Sequence, residues 1–586
     1  MISNAYSVVT ALLSSATALP KNGGRADTRL TDNTWDYVIV AGGATGLVVA
    51  NRLTEDSNKT VLVIEAGAAD DNPNIRMPYA ASHPVNTSHL WGFKSEPEPE
   101  IGDRTFDAKA ARVLGGGSIV NGLMYDRAAA ADYDAWEALE NKGWGWEGLF
   151  PFTKKSTEFI EPSKETTEEF EITWDSEVGD NGDAYGTAWF PNSMNPLTGE
   201  RSHARNSYYE PVSQRSNLNV VLETLATEIV FDGDNLTATG VKTTDKTNST
   251  SIVYARKEVI LAAGALNTPK LLQLSGIGPQ SVLEAAGIPV KLSHDDVGAN
   301  FQDHPYTNLL FNVSNMSKPN PTFWNDPAFN ASAWAQYQAN KTGPLIMARG
   351  NSLAFIPLQD IDPEQYSLIA ESVLSPSNEA YLPPLYQHSQ KLLRGFSTQR
   401  DILATLYSSK KSAVAEFPIT SSPAVQIIDL EKPISRGTVT INPDNPHGAP
   451  RVFYNDFSNS IDKTVLASCV RYIRKLLSQP NLSKFSLVET SPGLEYTTDE
   501  AILEKAIKSR SLWPTLSHSS GTCAMMPEEM GGCVSDELLF YGVERLSVVD
   551  ASIIPLVPAQ HLQATMYAVG EKAASIIQQR GGEEGG

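Results

Sequence analysis

Val38 to Leu53 reads VIVAGGATGLVVANRL. An apolar run, a glycine cluster and apolar residues at helical spacing follow one another without a break. That order predicts a strand buried on both faces, a tight turn and a helix. Tyr37 to Val40 supplies the strand; Leu47, Val48, Ala50 and Leu53 supply the apolar helix face. A second apolar run, Val61 to Ile64, completes a β-α-β unit of about 30 residues that ends at Glu65. A chain that begins this way is constrained to an α/β fold built on a parallel sheet.

The turn departs from the G-x-G-x-x-G pattern at one position. Gly46 and Gly43 stand at the third and second glycines, but Ala41 stands at the first. A strand-to-helix turn offers unpaired N–H groups to a pyrophosphate, and glycines let the phosphates come close. Glu65, 19 residues past Gly46, can accept hydrogen bonds from ribose hydroxyls. A bound dinucleotide is therefore expected. Ala41 is harmless in such a turn if its φ is negative and costs about 1 kcal/mol or more if φ is positive.

Further strands are expected at Leu218–Leu222, Ile229–Phe231, Glu258–Leu261 and Leu546–Val549. Helices are expected from Thr268 to Leu274 and from Gln563 to Gln578. The sheet-forming segments are thus spread over the whole chain, and 586 residues are too many for one core. Residues 35–150, 216–304 and 506–586 are assigned to a Rossmann-like nucleotide-binding domain. Residues 151–215 and 305–505, richer in Pro, Asn, Ser and aromatics, are assigned to a discontinuous α+β substrate-binding domain.

Residues 1–18 resemble a secretory signal peptide, with an apolar stretch from Ala5 to Leu13 and Ala16-Thr17-Ala18 as cleavage site. Residues 19–34 read as a linker. N-x-S/T sequons begin at Asn58, Asn86, Asn235, Asn248, Asn312, Asn315, Asn330, Asn340 and Asn481. Together these features suit a secreted or endomembrane glycoprotein. No apolar run is long enough to span a bilayer. The net charge of −22 argues against a nucleic-acid partner, which needs clustered Lys and Arg. Cys469, Cys523 and Cys533 show no C-x-x-C spacing and no H-E-x-x-H occurs, so no metal site is expected. Cys523 and Cys533 are near enough in sequence to pair, with buried free thiols as the alternative.

Two internal stretches narrow the nucleotide: ARVLGGGSIVNGLMYDRAAAADYD (111–134) and GALNTPKLLQLSGIG (264–278). With the first turn and the segments SHSSGTCAMMP (517–527) and VVDASIIPLVPAQHLQATMYAVGEKAA (548–574), they resemble the glucose-methanol-choline (GMC) oxidoreductase family. The resemblance runs from about residue 35 to 580 and implies FAD as cofactor. By resemblance, Gly43, Ala44, Thr45 and Gly46 are the pyrophosphate turn and Glu65 the ribose ligand. Ser118, Asn121, Gly122, Leu123 and Met124 match the segment passing the pyrophosphate and flavin ring. Ala226 matches a backbone contact to adenine, and Asp550, Ala551, Gln563 and Ala564 positions near the ribityl chain and flavin. Covalent members of the family attach FAD through a His near the pyrophosphate segment; residues 111–127 contain none, so non-covalent FAD is expected.

The family places its catalytic His at the position of His518 and a second active-site His or Asn at that of His561. Oxidation of an alcohol removes a hydride and a hydroxyl proton, and imidazole is a suitable base near neutrality. His518 is assigned as base and His561 as the partner on the substrate oxygen. His304, in NFQDHP, is assigned a structural role at the junction of the lobes. Glucose oxidases carry sugar-binding Arg and Asn where this chain has Pro514 and Leu516. Apolar replacements cannot pair sugar hydroxyls, so an aryl, allylic or secondary-metabolite alcohol is expected rather than glucose. Trp513 either adds an aromatic wall or packs in the core. O₂ or a quinone is expected as electron acceptor, and the chain as a monomer or homodimer. The alternative is a non-redox lyase or cyclase that keeps FAD on the same fold.

Overall fold

The computed structural model describes residues 33–79, 87–158, 181–233, 236–314, 326–346, 352–418 and 424–583. The proposed signal peptide, almost all of the linker and the sequons at Asn86, Asn235 and Asn315 lie outside them.

Five parallel strands form the centre of the first sheet. In chain order they are Thr34–Val40, Val61–Ile64, Leu218–Val221, the second half of Thr250–Leu261, and Leu546–Val548. In space they run third, second, first, fourth, fifth. Val38 lies between Leu62 and Val259, and Ile260 pairs onward with Ser547. This is the doubly wound arrangement, and the order reverses between the first and fourth strands. Val38, Ile39, Val61, Leu62, Val63, Val259 and Ile260 have no exposed surface, as strands covered on both faces require.

Thr250–Leu261 is longer than the four residues the sequence suggested. Its first half pairs antiparallel with Thr237–Asp245, which pairs in turn with Thr224–Asp232. The long strand therefore carries two partners on one side, the hairpin first and the C-terminal strand after it.

Ala44–Leu53 forms the first helix, and its third residue, Gly46, must be glycine. A Cβ there would stand 2.2 Å from the Ala41 carbonyl oxygen. The final helix, Gln563–Glu583, packs across this one. Gly570 allows the approach, since its Cβ would meet Val48 at 2.9 Å. Arg52 then clamps Glu571 through two hydrogen bonds of 2.8 and 2.7 Å. The helix expected from Thr268 begins earlier, at Gly264. Its first N–H donates to the Asp550 carboxylate at 3.0 Å, a cap from a distant segment that local sequence does not reveal.

The second sheet is antiparallel. Its strands run Val488–Ser491, Tyr306–Asn312, Val425–Leu430, Ala415–Pro418, Ser352–Ile356 and Gly186–Trp189. These six fall within the two blocks assigned to the substrate lobe. Leu512–Trp513, within the range assigned to the nucleotide lobe, pairs instead with Tyr306–Thr307 of this sheet. Among the described residues no helix is long and apolar enough to cross a membrane. All three cysteines are buried free thiols, which decides between the two readings of Cys523 and Cys533.

Candidate active site

Four of the five parallel strands deliver a functional segment at their C-terminal ends. Val40 leads into the glycine turn, Ile64 into Glu65, Leu261 into Ala262–Gly264, and Val548 into Asp550. Ligands of open α/β sheets bind in the crevice where the strand order reverses, here above Val40 and Leu261.

The turn leaves the N-terminal end of its helix uncapped. No side chain caps the helix at Gly43, and its first turn carries no acidic residue, so the positive helix end is open to an anion. A Cβ on Gly43 would find nothing nearer than 3.7 Å, and one on Gly117 nothing within 4 Å. One on Gly116 would sit 2.7 Å from the Gly43 Cα. The 115–117 glycines thus close over the 41–46 turn and form a two-sided cradle with open space at its centre. Such a cradle fits a pyrophosphate, and hence FAD.

Glu65 is buried and already engaged. Its Oε2 accepts from Gly42 N–H at 2.9 Å and its Oε1 from Gly67 N–H at 2.7 Å. It locks the turn to the second strand, a role beyond the one expected, while each oxygen keeps a second lone-pair direction for a ribose hydroxyl. Burial raises its pKa against these two donors. Thr45 Oγ1 donates to the Val549 carbonyl and so ties the turn to the fifth strand. Ala226 lies in the strand whose first residue, Thr224, donates its N–H to the Glu65 carbonyl at 3.0 Å.

Ser118 points inward. Its hydroxyl donates to Gly115 O at 2.6 Å and accepts from Ala204 N–H at 3.0 Å, so it braces the cradle. Asn121 donates to Gln563 Oε1 and accepts from Arg201 at 2.7 Å; Gln563 donates onward to Ser193 at 2.9 Å. Arg201, buried, was not foreseen from sequence. Leu123 holds a positive φ of 70°, next to Gly122 and before Met124. The Asp550 carboxylate takes three donors: Gly264 N–H at 3.0 Å, Thr268 Oγ1 at 2.6 Å and Ser552 N–H at 2.8 Å. Ala551 accepts from Gly521 N–H at 3.0 Å, which fastens the His518 loop to this segment, and Ala564 is fully buried.

His518 and His561 come together. Their rings lie 5.2 Å apart and nearly perpendicular, at 81°, and both are partly exposed. What stands behind each is different. His561 donates its backbone N–H to Asp126 Oδ2 at 3.0 Å, and its Nδ1 lies 3.0 Å from Asp126 Oδ1 and 3.8 Å from Glu416 Oε2. Burial alone would lower its pKa, but Glu416 and Asp126 outweigh that and raise it to about 10. His561 is a fixed cation. Behind His518 stands His304, with Nδ1 to Nδ1 at 2.9 Å. Burial, then its neighbours His304 and His561, pushes the His518 pKa well below the ordinary value. His518 is a neutral imidazole.

Asp303 holds the loop that carries His518. It accepts from Thr515 Oγ1 at 2.7 Å, Ser519 Oγ at 2.9 Å and His518 N–H at 3.0 Å. Burial raises its pKa to about 6. Asp126, Asp303 and Glu416 were missed from sequence; the first two lie inside the quoted MYDR and NFQDHP stretches. Trp513 stacks on Tyr306 at 6.0 Å and meets the Phe106 edge at 5.6 Å, contacts that account for its packing.

The GMC oxidoreductase family profiles match residues 35–306 and 433–570. Dehydrogenase xptC of Emericella nidulans is 32% identical, with 94% of this chain and 93% of that protein aligned. An oxygen-dependent choline dehydrogenase of Sinorhizobium fredii is 30% identical over 92% of this chain and 95% of its own. Among solved structures, an FAD-dependent oxidoreductase from Chaetomium thermophilum superposes with a TM-score of 0.88. It is 33% identical and covers 93% of this chain and 99% of its own. A fungal aryl-alcohol oxidase gives 0.86, at 32% identity over 94% and 99%. The glycine cradle, the converging strand ends and these likenesses lead to one conclusion: the chain belongs to the GMC oxidoreductase family and is an FAD-dependent oxidoreductase of the class that acts on CH–OH groups.

Proposed function

We propose that the protein oxidises a weakly polar alcohol, aryl or allylic in character, with His518 as the base. The observation that carries the reading is the histidine pair, two imidazoles facing one space with opposite charge preference. FAD, when bound in the cradle by Gly43–Gly46, Glu65 and the 118–124 segment, supplies the hydride acceptor. The neutral His518 Nε2 takes the hydroxyl proton. The cationic His561 donates a hydrogen bond to the substrate oxygen and holds it as negative charge develops there. Asp126 and Glu416 keep that cation in place.

The apolar character of the substrate is supported by the apolar residues that flank the two histidines in the chain. Pro514 and Leu516 offer no hydrogen bonds from their side chains. Met124 and Phe190 pack on Leu353, Phe355, Ala413 and Ala559, two residues before His561. The aryl-alcohol oxidase likeness points the same way. Non-covalent attachment is supported by the absence of His in residues 111–127. Passage through the secretory pathway is supported by the sequons, since Asn58, Asn248, Asn312, Asn340 and Asn481 are exposed.

The test is anaerobic mixing of the yellow holoenzyme with a panel of alcohols. Aryl or allylic members should bleach the flavin absorbance and glucose should not. A flavin left oxidised by every alcohol overturns the reading in favour of non-redox chemistry.

A further inference from the structure

Glu431, His304 and His518 lie in a line. His304 is fully buried, its Nδ1 is 2.9 Å from His518 Nδ1, and its Nε2 is 3.4 Å from Glu431 Oε2. Glu431 is itself fully buried, and neither of its oxygens accepts a hydrogen bond in the described structure. It stands just past the Val425–Leu430 strand. Its N–H donates to Val414 O at 2.9 Å and the neighbouring Leu430 N–H to Pro305 O at 2.9 Å, so the ladder fixes its place beside His304. Glu416 and Asp429 face each other across the same ladder, and neither is exposed. With no accessible surface, none of the three can touch a substrate; they act through the histidines.

The ring nitrogens admit only one arrangement that leaves His518 able to act as a base. Two Nδ1 atoms 2.9 Å apart share one proton. If His304 carried it, His518 would hold its own proton on Nε2 and could accept none from a substrate. If His518 carries it, His518 Nε2 has a free lone pair. His304 then accepts at Nδ1 and bears its proton on Nε2, the atom 3.4 Å from Glu431 Oε2. The second tautomer pairs the two Nδ1 atoms, leaves His518 Nε2 open to a substrate, and aims a proton toward a buried carboxylate that otherwise has no donor.

We propose that Glu431 and His304 form a proton relay behind the base, with the substrate's hydroxyl proton coming to rest on Glu431. This rests on the reading of His518 as base. The substrate O–H bond breaks as an N–H bond forms at His518 Nε2. The His518 Nδ1 proton moves to His304 Nδ1, and the His304 Nε2 proton moves to Glu431 Oε2. The alcohol becomes a carbonyl, its hydride leaving to FAD and its proton to the carboxylate. Both histidines end neutral, so no imidazolium forms beside the cationic His561. The 3.4 Å gap must close by a few tenths of an ångström to reach hydrogen-bond length, a small shift for one carboxylate. The charged and titratable groups around Glu431 are His304, Glu416, Asp429, Lys432 and Asp126; Lys432 is itself held by Asp132. Burial, then Glu416 and Asp429, raise the Glu431 pKa, so the carboxylate holds a proton more tightly than an exposed one does. His304 and Glu431 are positioning residues in this scheme.

Glu431→Gln keeps the shape and the accepting oxygen but cannot take up a proton. It should lower kcat tenfold or more, leave KM and the flavin spectrum unchanged, and remove one ionisation from the pH profile of kcat. In wild-type holoenzyme, infrared difference spectra on anaerobic addition of the alcohol should show a carboxylic-acid C=O band that Glu431→Gln lacks. A Glu431→Gln enzyme with wild-type kcat and pH profile overturns the relay. So does the absence of that band in the wild type, a measurement that needs no variant to fold. His518→Ala separates the two levels. If it is inactive while Glu431→Gln is normal, only the relay fails; if it is fully active, the base assignment fails first.

Discussion

Ala41 occupies the position where the dinucleotide turn ordinarily has its first glycine, and its φ is +83°. That is the case in which the Cβ is costly. The backbone cannot relax locally, because the Ala41 N–H donates to Ile64 O at 2.8 Å and its carbonyl faces Gly46 with no room for a methyl group between them. A left-handed conformation costs an L-residue about 1–2 kcal/mol. Ala41→Gly removes that cost but frees the unfolded chain, which returns about 0.4–1 kcal/mol. The net gain should be about 0.5–1 kcal/mol. Melting temperature is the wrong readout for it. At roughly 2.1 cal/mol/K per residue the unfolding entropy of so long a chain compresses the gain to under about 1 °C. The assay is paired: urea unfolding of the apoprotein, and FAD affinity by quenching of flavin fluorescence. Together they should account for the gain, a tightening of about 2–5-fold if it appears wholly in binding. Ala41→Val should move both quantities the other way. A glycine variant no better than the parent in either assay would refute the strain argument.

His518→Ala should cut alcohol oxidation by about 10²–10⁴-fold while the protein stays yellow; stopped-flow flavin reduction measures it, and an unchanged rate sinks the assignment. Gly46→Ala should fail earlier, yielding protein without FAD, because the added methyl would lie 2.2 Å from the Ala41 oxygen; the ratio of flavin to protein absorbance reports it. The pH response follows from His561. Its pKa is raised by Glu416 and Asp126 to about 10, so its contribution to stability is full below about pH 6.5 and is lost as pH rises through 10. The alkaline limb of kcat should fall near pH 10, and Asp126→Asn should move it to lower pH. A limb that does not move would separate Asp126 from the cation.

The sequence carried the cradle well and the charge behind it poorly. The β-α-β unit is local: apolar period, glycines and Glu65 sit within 30 residues, so pattern and structure coincide. The histidines were legible through motif position. Glu416 and Glu431 were not, because a carboxylate within or just past a short strand reads as a solvent-facing residue. Only the pairing of Ala415–Pro418 with Val425–Leu430 turns both toward His561 and His304. Glu65 and Asp550 were named as ligand contacts, yet each also joins segments that meet only in three dimensions, from Gly42 to Gly67 and from Gly264 to Ser552. Sequence spacing reports such residues without reporting what they fasten.

The strand Thr250–Leu261 keeps half of one side vacant until Leu546–Val548 has been made. Its inner half pairs with Leu546–Val548, some 285 residues later by their numbering. At ~5–20 residues per second a ribosome needs roughly 15–60 s to cover that distance. Throughout it, the nascent domain presents an open parallel edge, the kind of surface that recruits other strands. Asp550, the Gly264 cap and the floor of the FAD crevice all arrive with the closing strand. The cofactor therefore cannot template the early sheet, and its capture waits for the 546–550 segment.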